Sequence, residues 1–214
     1  MKFTQLHRLL FPDKCLLCGK LLDTDETDLC RRCTMLYPPL PSVKKKIPFL
    51  SGCTAVWYYE KDVRDSLLRY KFGRKRHYAQ AYARYLAPKL ADLNFDYVAW
   101  VPVSARRRFT RGYDQVQLLA DALCRQRGYQ AIHCLRKIRH NRAQAGIREL
   151  SHRRANVLGV YRVTCPEQIA GMRILLLDDI ITTGSTISEC AKTLRSAGAA
   201  DVFGAAVALA KNYK

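Results

Sequence analysis

The segment from Ile174 to Thr186, ILLLDDIITTGST, constrains this chain more than any other. Its apolar opening runs without polar interruption, which predicts a strand buried on both faces. Two acids, Asp178 and Asp179, close that strand. A small, hydroxyl-rich turn containing Gly184 then leads into a helix expected over about residues 185–197. Ligands of open α/β sheets bind beyond the carboxyl ends of the strands. The turn from Thr182 to Thr186 should present backbone N–H groups at a helix N-terminus, where the helix dipole favours an anion. The hydroxyls of Thr182, Thr183, Ser185 and Thr186 add donors, and Gly184 admits a close approach without a Cβ. Like charges repel, so Asp178 and Asp179 would face a ribose diol or a Mg²⁺ ion and not the phosphate itself. An acidic pair beside a phosphate seat reads as a ribose-5-phosphate site. No lysine follows Gly184 as a nucleotide P-loop requires, and the dinucleotide G-x-G-x-x-G fingerprint is absent. A receiver-type Mg²⁺ pocket would share the acids but would not require the turn.

The chain around this segment alternates between apolar runs and amphipathic stretches. CTAVWYY at 53–59, YVAWVPV at 97–103 and VFGAAVALA at 202–210 read as strands. IHCLRKI and VLGVYRV are further strand candidates. Helices are expected over 61–71, over 77–91 (Tyr78, Tyr82, Tyr85 and Leu86 on one face) and over 113–126, with Gly128 as its cap. Residues 138–150 lack periodicity and predict a loop, with Ser151 capping a short helix after it. The pattern predicts an α/β fold, a parallel sheet covered by helices on both faces. Ahead of it, Phe3, Leu6, Leu9 and Leu10 would share one helix face. The stretch YPPLPSVKKKIP, with its four prolines, predicts an extended connector. The domain boundary is therefore expected near residue 45: residues 1–45 as a small N-terminal domain and 46–214 as the main one.

Four of the nine cysteines form two C-x-x-C pairs, Cys15 with Cys18 and Cys30 with Cys33. Each pair turns two thiolates toward one point, and two such knuckles supply the closed tetrahedral set that Zn²⁺ prefers. The intervening LLDTDETDL is too short and polar to make a core, so metal binding would supply folding energy on the order of 10 kcal/mol. The competing reading is a redox pair, which would occur singly at a strand–helix junction. Cys53, Cys124, Cys134, Cys165 and Cys190 are scattered among apolar residues and read as buried small hydrophobes. The N-terminal residues lack a continuous apolar core and a cleavage site, and no apolar run is long enough to span a membrane. The expectation is a cytoplasmic protein with reduced thiols and no membrane insertion.

Charge narrows the partner. The formal net charge is +19, and thirteen Lys and Arg residues against three acids between Arg106 and Arg154 carry +10 of it. A solvated basic face is the plain explanation. Arginine dominates the cluster, however, and its planar fork suits phosphate oxygens. Lys44–Lys46 and Arg74–Arg76 add cations outside that segment.

ILLLDDIITTGST resembles the phosphoribosyl-pyrophosphate (PRPP) motif of type I phosphoribosyltransferases. The rest of the chain is similar to one branch of them, the competence protein F (ComF) family. The likeness includes the double C-x-x-C, the stretch from Tyr59 to Phe72, VPVSARRRFTRGYDQ at 101–115 and RHNRAQAGIRELSHRRANVLGVYRV at 139–163. The family usually has R-G-F-N-Q where this chain has Tyr113 and Asp114. The resemblance implies that Asp178 and Asp179, the candidate catalytic pair, hold the ribose hydroxyls of PRPP, and that Thr182, Thr183, Gly184, Ser185 and Thr186 hold its 5′-phosphate. Arg106, Arg107 and Arg111 would face the pyrophosphate, Arg139, Arg142 and Gln144 would belong to a closing loop, and Mg²⁺ would bridge pyrophosphate and diol. It further implies a role in the uptake or use of exogenous DNA, with single-stranded DNA and a DNA-translocating helicase as partners. An active phosphoribosyltransferase of nucleotide metabolism, with an acceptor that no residue identifies, is the alternative.

Overall fold

A computed structural model describes residues 12–41, 45–138 and 159–211. The expected N-terminal helix, the loop residues Arg139, Arg142 and Gln144, and the Ser151 cap lie outside the described residues.

Four strands form one parallel sheet: β1 (Gly52–Tyr58), β2 (Tyr97–Trp100), β5 (Arg173–Ile181) and β6 (Asp201–Leu209), in the order β1-β6-β5-β2. The central pair is the most apolar, because β5 and β6 are covered on both faces. Leu175 and Leu177 of β5 face one layer, and Ile174 and Leu176 face the other. The first layer contains helices α2 (Lys61–Phe72), α3 (Tyr78–Leu86) and α5 (Gln115–Arg127); the second is built on α7 (Ser185–Ser196). This is the expected parallel sheet flanked by helices.

Several boundaries differ from the sequence expectation for local reasons. The helix expected over 77–91 is α-helical only to Leu86. It tightens to a 3₁₀ turn over Ala87–Leu90, because Pro88 cannot donate to an α-helical bond. The strand expected to reach residue 103 ends at Trp100. A short helix not anticipated from sequence, α4 (Ala105–Arg111), follows it, N-capped by Ser104 and closed by left-handed Gly112. No residue of α4 is buried, so its sequence ARRRFTR carries no apolar period that could have announced it. Asp114 caps α5 by accepting from the N–H groups of Val116 and Gln117. IHCLRKI contributes only β3 (Leu135–Lys137), which pairs antiparallel with β4 (Tyr161–Val163) beside the sheet, while Ala131 bridges to Val98 in parallel. Pro166–Ile169 forms the one-turn helix α6.

The cysteine segment, with its helix α1 (Arg31–Leu36), packs into the same apolar layer as α2 and α3. Leu16 and Leu17 are buried there, and their carbonyls accept hydrogen bonds from α2: Ser66 Oγ and Arg69 donate to Leu16, and Arg69 also donates to Leu17. Trp57 Nε1 of β1 donates to the Tyr37 carbonyl at 2.9 Å, and Arg84 of α3 pairs with Asp28. Tyr70, Tyr82 and Trp57 stack edge to face beneath, with the Tyr70–Tyr82 centroids 5.3 Å apart. Cys53, Cys124, Cys134 and Cys190 are buried as expected, whereas Cys165 is partly exposed. Among the described residues no helix is long and apolar enough to cross a membrane.

Candidate functional site

The four N-terminal thiols converge. The sulfurs of Cys15, Cys18, Cys30 and Cys33 all lie within 4.8 Å of one another, and Cys18 Sγ is 3.7 Å from Cys30 Sγ. A tetrahedron with metal–sulfur bonds of about 2.3 Å has edges of roughly 3.8 Å, so these donors fit a metal such as zinc. Left-handed Gly19 (φ +77°) closes the first knuckle and donates its N–H to the Cys15 carbonyl at 2.9 Å. The Cys30 N–H points at Cys15 Sγ from 3.4 Å, an arrangement that favours a thiolate there.

The acid pair lies at the carboxyl end of β5. Alternation along this strand sends Asp178 and Asp179 to opposite faces of the sheet. Asp179 turns toward α2 and α5, where it is buried and both its oxygens are engaged. Oδ1 pairs with Lys71 Nζ at 2.9 Å, and Oδ2 accepts from Gln115 Nε2 at 2.7 Å. Asp178 turns toward α7. Its Oδ1 accepts the Asp179 N–H at 2.8 Å, and burial, reinforced by the Asp179 charge, pushes its carboxyl well above the usual range. Asp178 is therefore the acid of the pair with an oxygen available to a diol or a cation.

The turn after β5 has the geometry of an anion seat. Gly184 adopts φ +85° and starts α7, whose first-turn N–H groups lack intrahelical partners. Thr183 Oγ1 and Ser185 Oγ lie 2.8 Å apart, and the Ser185 N–H points at Thr183 Oγ1. Thr182 is exposed, and Thr186 is partly exposed on the first turn of α7. The connector from the cysteine segment straps this turn. Lys45 Nζ donates to the Thr182 carbonyl, Ile47 packs over Gly184, and Ser188 Oγ donates to the Pro48 carbonyl at 3.1 Å. A Cβ on Gly184 would lie 3.1 Å from Ile47. The strap was not evident in a proline- and lysine-rich stretch that reads as a bare linker.

The arginines after β2 separate. Arg107 and Arg111 line a cleft of about 460 Å³ between the end of α2 and α4, whereas Arg106 lies exposed outside that lining. Arg111 is half-buried. Its guanidinium sits 4.8 Å from the Phe72 ring centroid and donates to Gln115 Oε1 at 2.8 Å, and burial lowers its pKa. Lys137 of β3 lies 5.7 Å from the Tyr161 ring of β4; both are near Cys190, and Tyr161 is also near Asp178. Burial lowers the Lys137 pKa and, with the nearby Cys190 and Asp178 charges, raises that of Tyr161. Sequence reasoning passed over Lys71, Gln115, Lys137 and Tyr161. Lys71 and Gln115 stood inside quoted motifs, but nothing local tied them to Asp179.

Residues 132–214 match the phosphoribosyl transferase domain family. The chain is 31% identical to the DNA utilization protein YhgH of Escherichia coli O157:H7 over 204 residues, covering 88% of this chain and 86% of that protein. It is 28% identical to the competence protein ComFC of Streptococcus pneumoniae, covering 88% and 96%. Competence protein F of Haemophilus influenzae is 25% identical, over 74% of this chain and 72% of its own length.

Proposed function

The chain belongs to the competence protein F (ComF) family, and from that premise we propose that it binds PRPP at the carboxyl end of β5 and acts in the use of exogenous DNA. The observation that carries the PRPP reading is the placement of the half-open Asp178 carboxylate directly before the left-handed Gly184 turn and the N-terminus of α7. Asp178 would accept hydrogen bonds from a ribose diol, and the Thr182–Thr186 turn would hold the 5′-phosphate through N–H groups and hydroxyls. Lys71 and Gln115 hold Asp179 in place, so Asp179 acts on this site through its charge and its N–H bond to Asp178. Arg107 and Arg111 supply positive charge on the side from which a diphosphate would approach. Mg²⁺ bound with the diphosphate would supply further charge neutralisation, and Asp178 is the residue whose oxygen could reach it. The thiols of Cys15, Cys18, Cys30 and Cys33 would hold a structural Zn²⁺.

The DNA role is supported by the names of the relatives and by α4, where exposed Arg106 and Arg108 lie beside Phe109, itself 93% exposed. Cations around an exposed ring suit a single strand, whose phosphates and bases they would contact together. A DNA-translocating helicase as partner belongs to the same proposal.

Thermal melting with PRPP and Mg²⁺ tests the ligand. A saturating ligand at one hundred times its Kd stabilises by about 2.7 kcal/mol. The wild type should melt higher with PRPP and Mg²⁺ than without, and Asp178→Asn should lose the increment while remaining folded. An unchanged wild-type melting temperature across millimolar PRPP would reject the reading.

A further inference from the structure

The strap over the Gly184 turn is tied down more firmly than a linker needs. Ile47 is buried and packs over Gly184, and Ser188 of α7 donates from Oγ to the Pro48 carbonyl at 3.1 Å. Two turns further along α7, Arg195 Nε donates to the Phe49 carbonyl at 2.8 Å, and Lys192 Nζ lies 5.9 Å from the Phe49 ring centroid. Phe49 itself is left-handed (φ +67°), an uncommon conformation for an aromatic residue. On the other side, Cys53 Sγ of β1 donates to the Lys45 carbonyl at 3.2 Å. Residues 45–49 are therefore fixed to β1 and to α7, and they present their side chains to the turn from a set frame.

One of these side chains reaches into the turn. Lys45 Nζ donates to the Thr182 carbonyl, 137 positions away in the chain. The lysine is half-buried there, and burial lowers its pKa. Its partner carbonyl belongs to the peptide unit whose N–H is that of Thr183. In a trans peptide the carbonyl and the N–H point in opposite directions, and the described residues contain no cis peptide. A Thr182 carbonyl drawn toward Lys45 thus turns the Thr183 N–H away from the strap. Rotated the other way, the same peptide would place its oxygen where an anion sits and repel it. A hydrogen bond to the carbonyl also polarises the peptide and strengthens its N–H as a donor. Thr183 Oγ1, held 2.8 Å from Ser185 Oγ, fixes the next step of the turn.

We propose that Lys45 is a positioning residue of the anion seat: it holds the Thr182–Thr183 peptide with its carbonyl outward, so that the Thr183 N–H faces the phosphate. This role rests on the reading of the Thr182–Thr186 turn as a phosphate seat. It gives one member of the Lys44–Lys46 run a function that neighbouring Lys46, which is exposed, does not share.

Calorimetric titration of the full chain with ribose 5-phosphate tests the role. Lys45→Met should weaken binding about tenfold, the scale of one charged hydrogen bond. Lys45→Arg, which keeps a donor, should recover most of the loss. Lys46→Met, which removes the same charge from the adjacent position, should bind as the wild type does. Salt screens a distant charge but does not undo an orientation, so the loss in Lys45→Met should be as large at high salt as at low. Nitrogen-edited NMR reads the peptide itself: ribose 5-phosphate should move the Thr183 amide proton downfield in the wild type and not in Lys45→Met. Equal binding by wild type and Lys45→Met would overturn the inference and leave the phosphate seat standing. A loss that high salt abolishes, or that Lys46→Met reproduces, would do the same. A wild type that does not bind ribose 5-phosphate would overturn the seat, and the role of Lys45 with it.

Discussion

Lys71 Nζ lies 2.9 Å from Asp179 Oδ1, the two side chains being 16% and 7% exposed, so the final turn of α2 is tied to the end of β5 by a buried ion pair. Removing one partner of such a pair leaves an uncompensated charge, at a cost of about 3–5 kcal/mol. Lys71→Met should therefore destabilise the fold strongly, and adding Asp179→Leu should recover much of the loss. Denaturant unfolding of the two single variants and the double variant measures the coupling. Strictly additive effects would mean that the pair contributes nothing.

Asp178 is destabilised in its charged form, first by burial and then by Asp179. Its folded-state pKa is raised, so its contribution to stability is full at acid pH and is lost as pH rises through the raised value. Asp178→Asn, which keeps an acceptor for the Asp179 N–H, should melt a few degrees above the ligand-free wild type at pH 8, about 2–4 °C per kcal/mol recovered. The gap should close on acidification. A variant that melts lower at pH 8 would contradict this account of the site as strained for function.

Removal of metal should reach beyond the cysteines. The Leu16 and Leu17 carbonyls anchor Ser66 and Arg69 on α2, so unravelling the knuckles loosens the helix that carries Lys71. Chelation, or Cys33→Ser, should lower the melting temperature and reduce the PRPP response. After chelation of the wild type, iodoacetamide should label Cys15, Cys18, Cys30 and Cys33. Burial pushes Cys124 up to about 11 and Cys134 up to about 12, so both should stay unlabelled at neutral pH until the domain unfolds. Mass mapping of the labelled thiols distinguishes the sets, and a melting temperature indifferent to chelation would reject a structural metal.

Single-stranded DNA binding should weaken steeply with salt, with a slope set by the phosphates neutralised, roughly 0.7 per contact. Arg106→Ala and Arg108→Ala should each flatten that slope. Phe109→Ala should weaken binding at every salt concentration without changing the slope, since the ring carries no charge. Because no residue of α4 is buried, none of the three should alter the melting temperature. Anisotropy titrations from low to moderate salt check all of this, and binding insensitive to salt would remove nucleic acid from the proposal.

What could be read from the chain was local. The strand, the turn and the helix of 174–186 appear as β5 (Arg173–Ile181), left-handed Gly184 and α7 (Ser185–Ser196), because a continuous apolar run, a glycine and a following amphipathic period each act over a few residues. The cysteines converge because their spacing makes two tight knuckles, and the parallel sheet follows from apolar runs separated by helices. The α4 helix was illegible because helices without a buried face leave no hydrophobic period.

By itself, then, the sequence determined the class of fold, the thiol cluster and the acid–turn–helix unit, all of which depend on short-range spacing. Only the tertiary structure decided how the acid pair is divided. Asp178 and Asp179 are neighbours in sequence, and strand alternation could have put either one on either layer. Packing placed Asp179 against Lys71 and Gln115, the latter 64 residues away, and left Asp178 beside the turn. The connector is likewise a strap through tertiary contacts: the cysteine segment packs on α2 and α3, and Ile47 lies over Gly184. Such contacts depend on which surfaces meet when the layers close, and no local pattern along the chain encodes them.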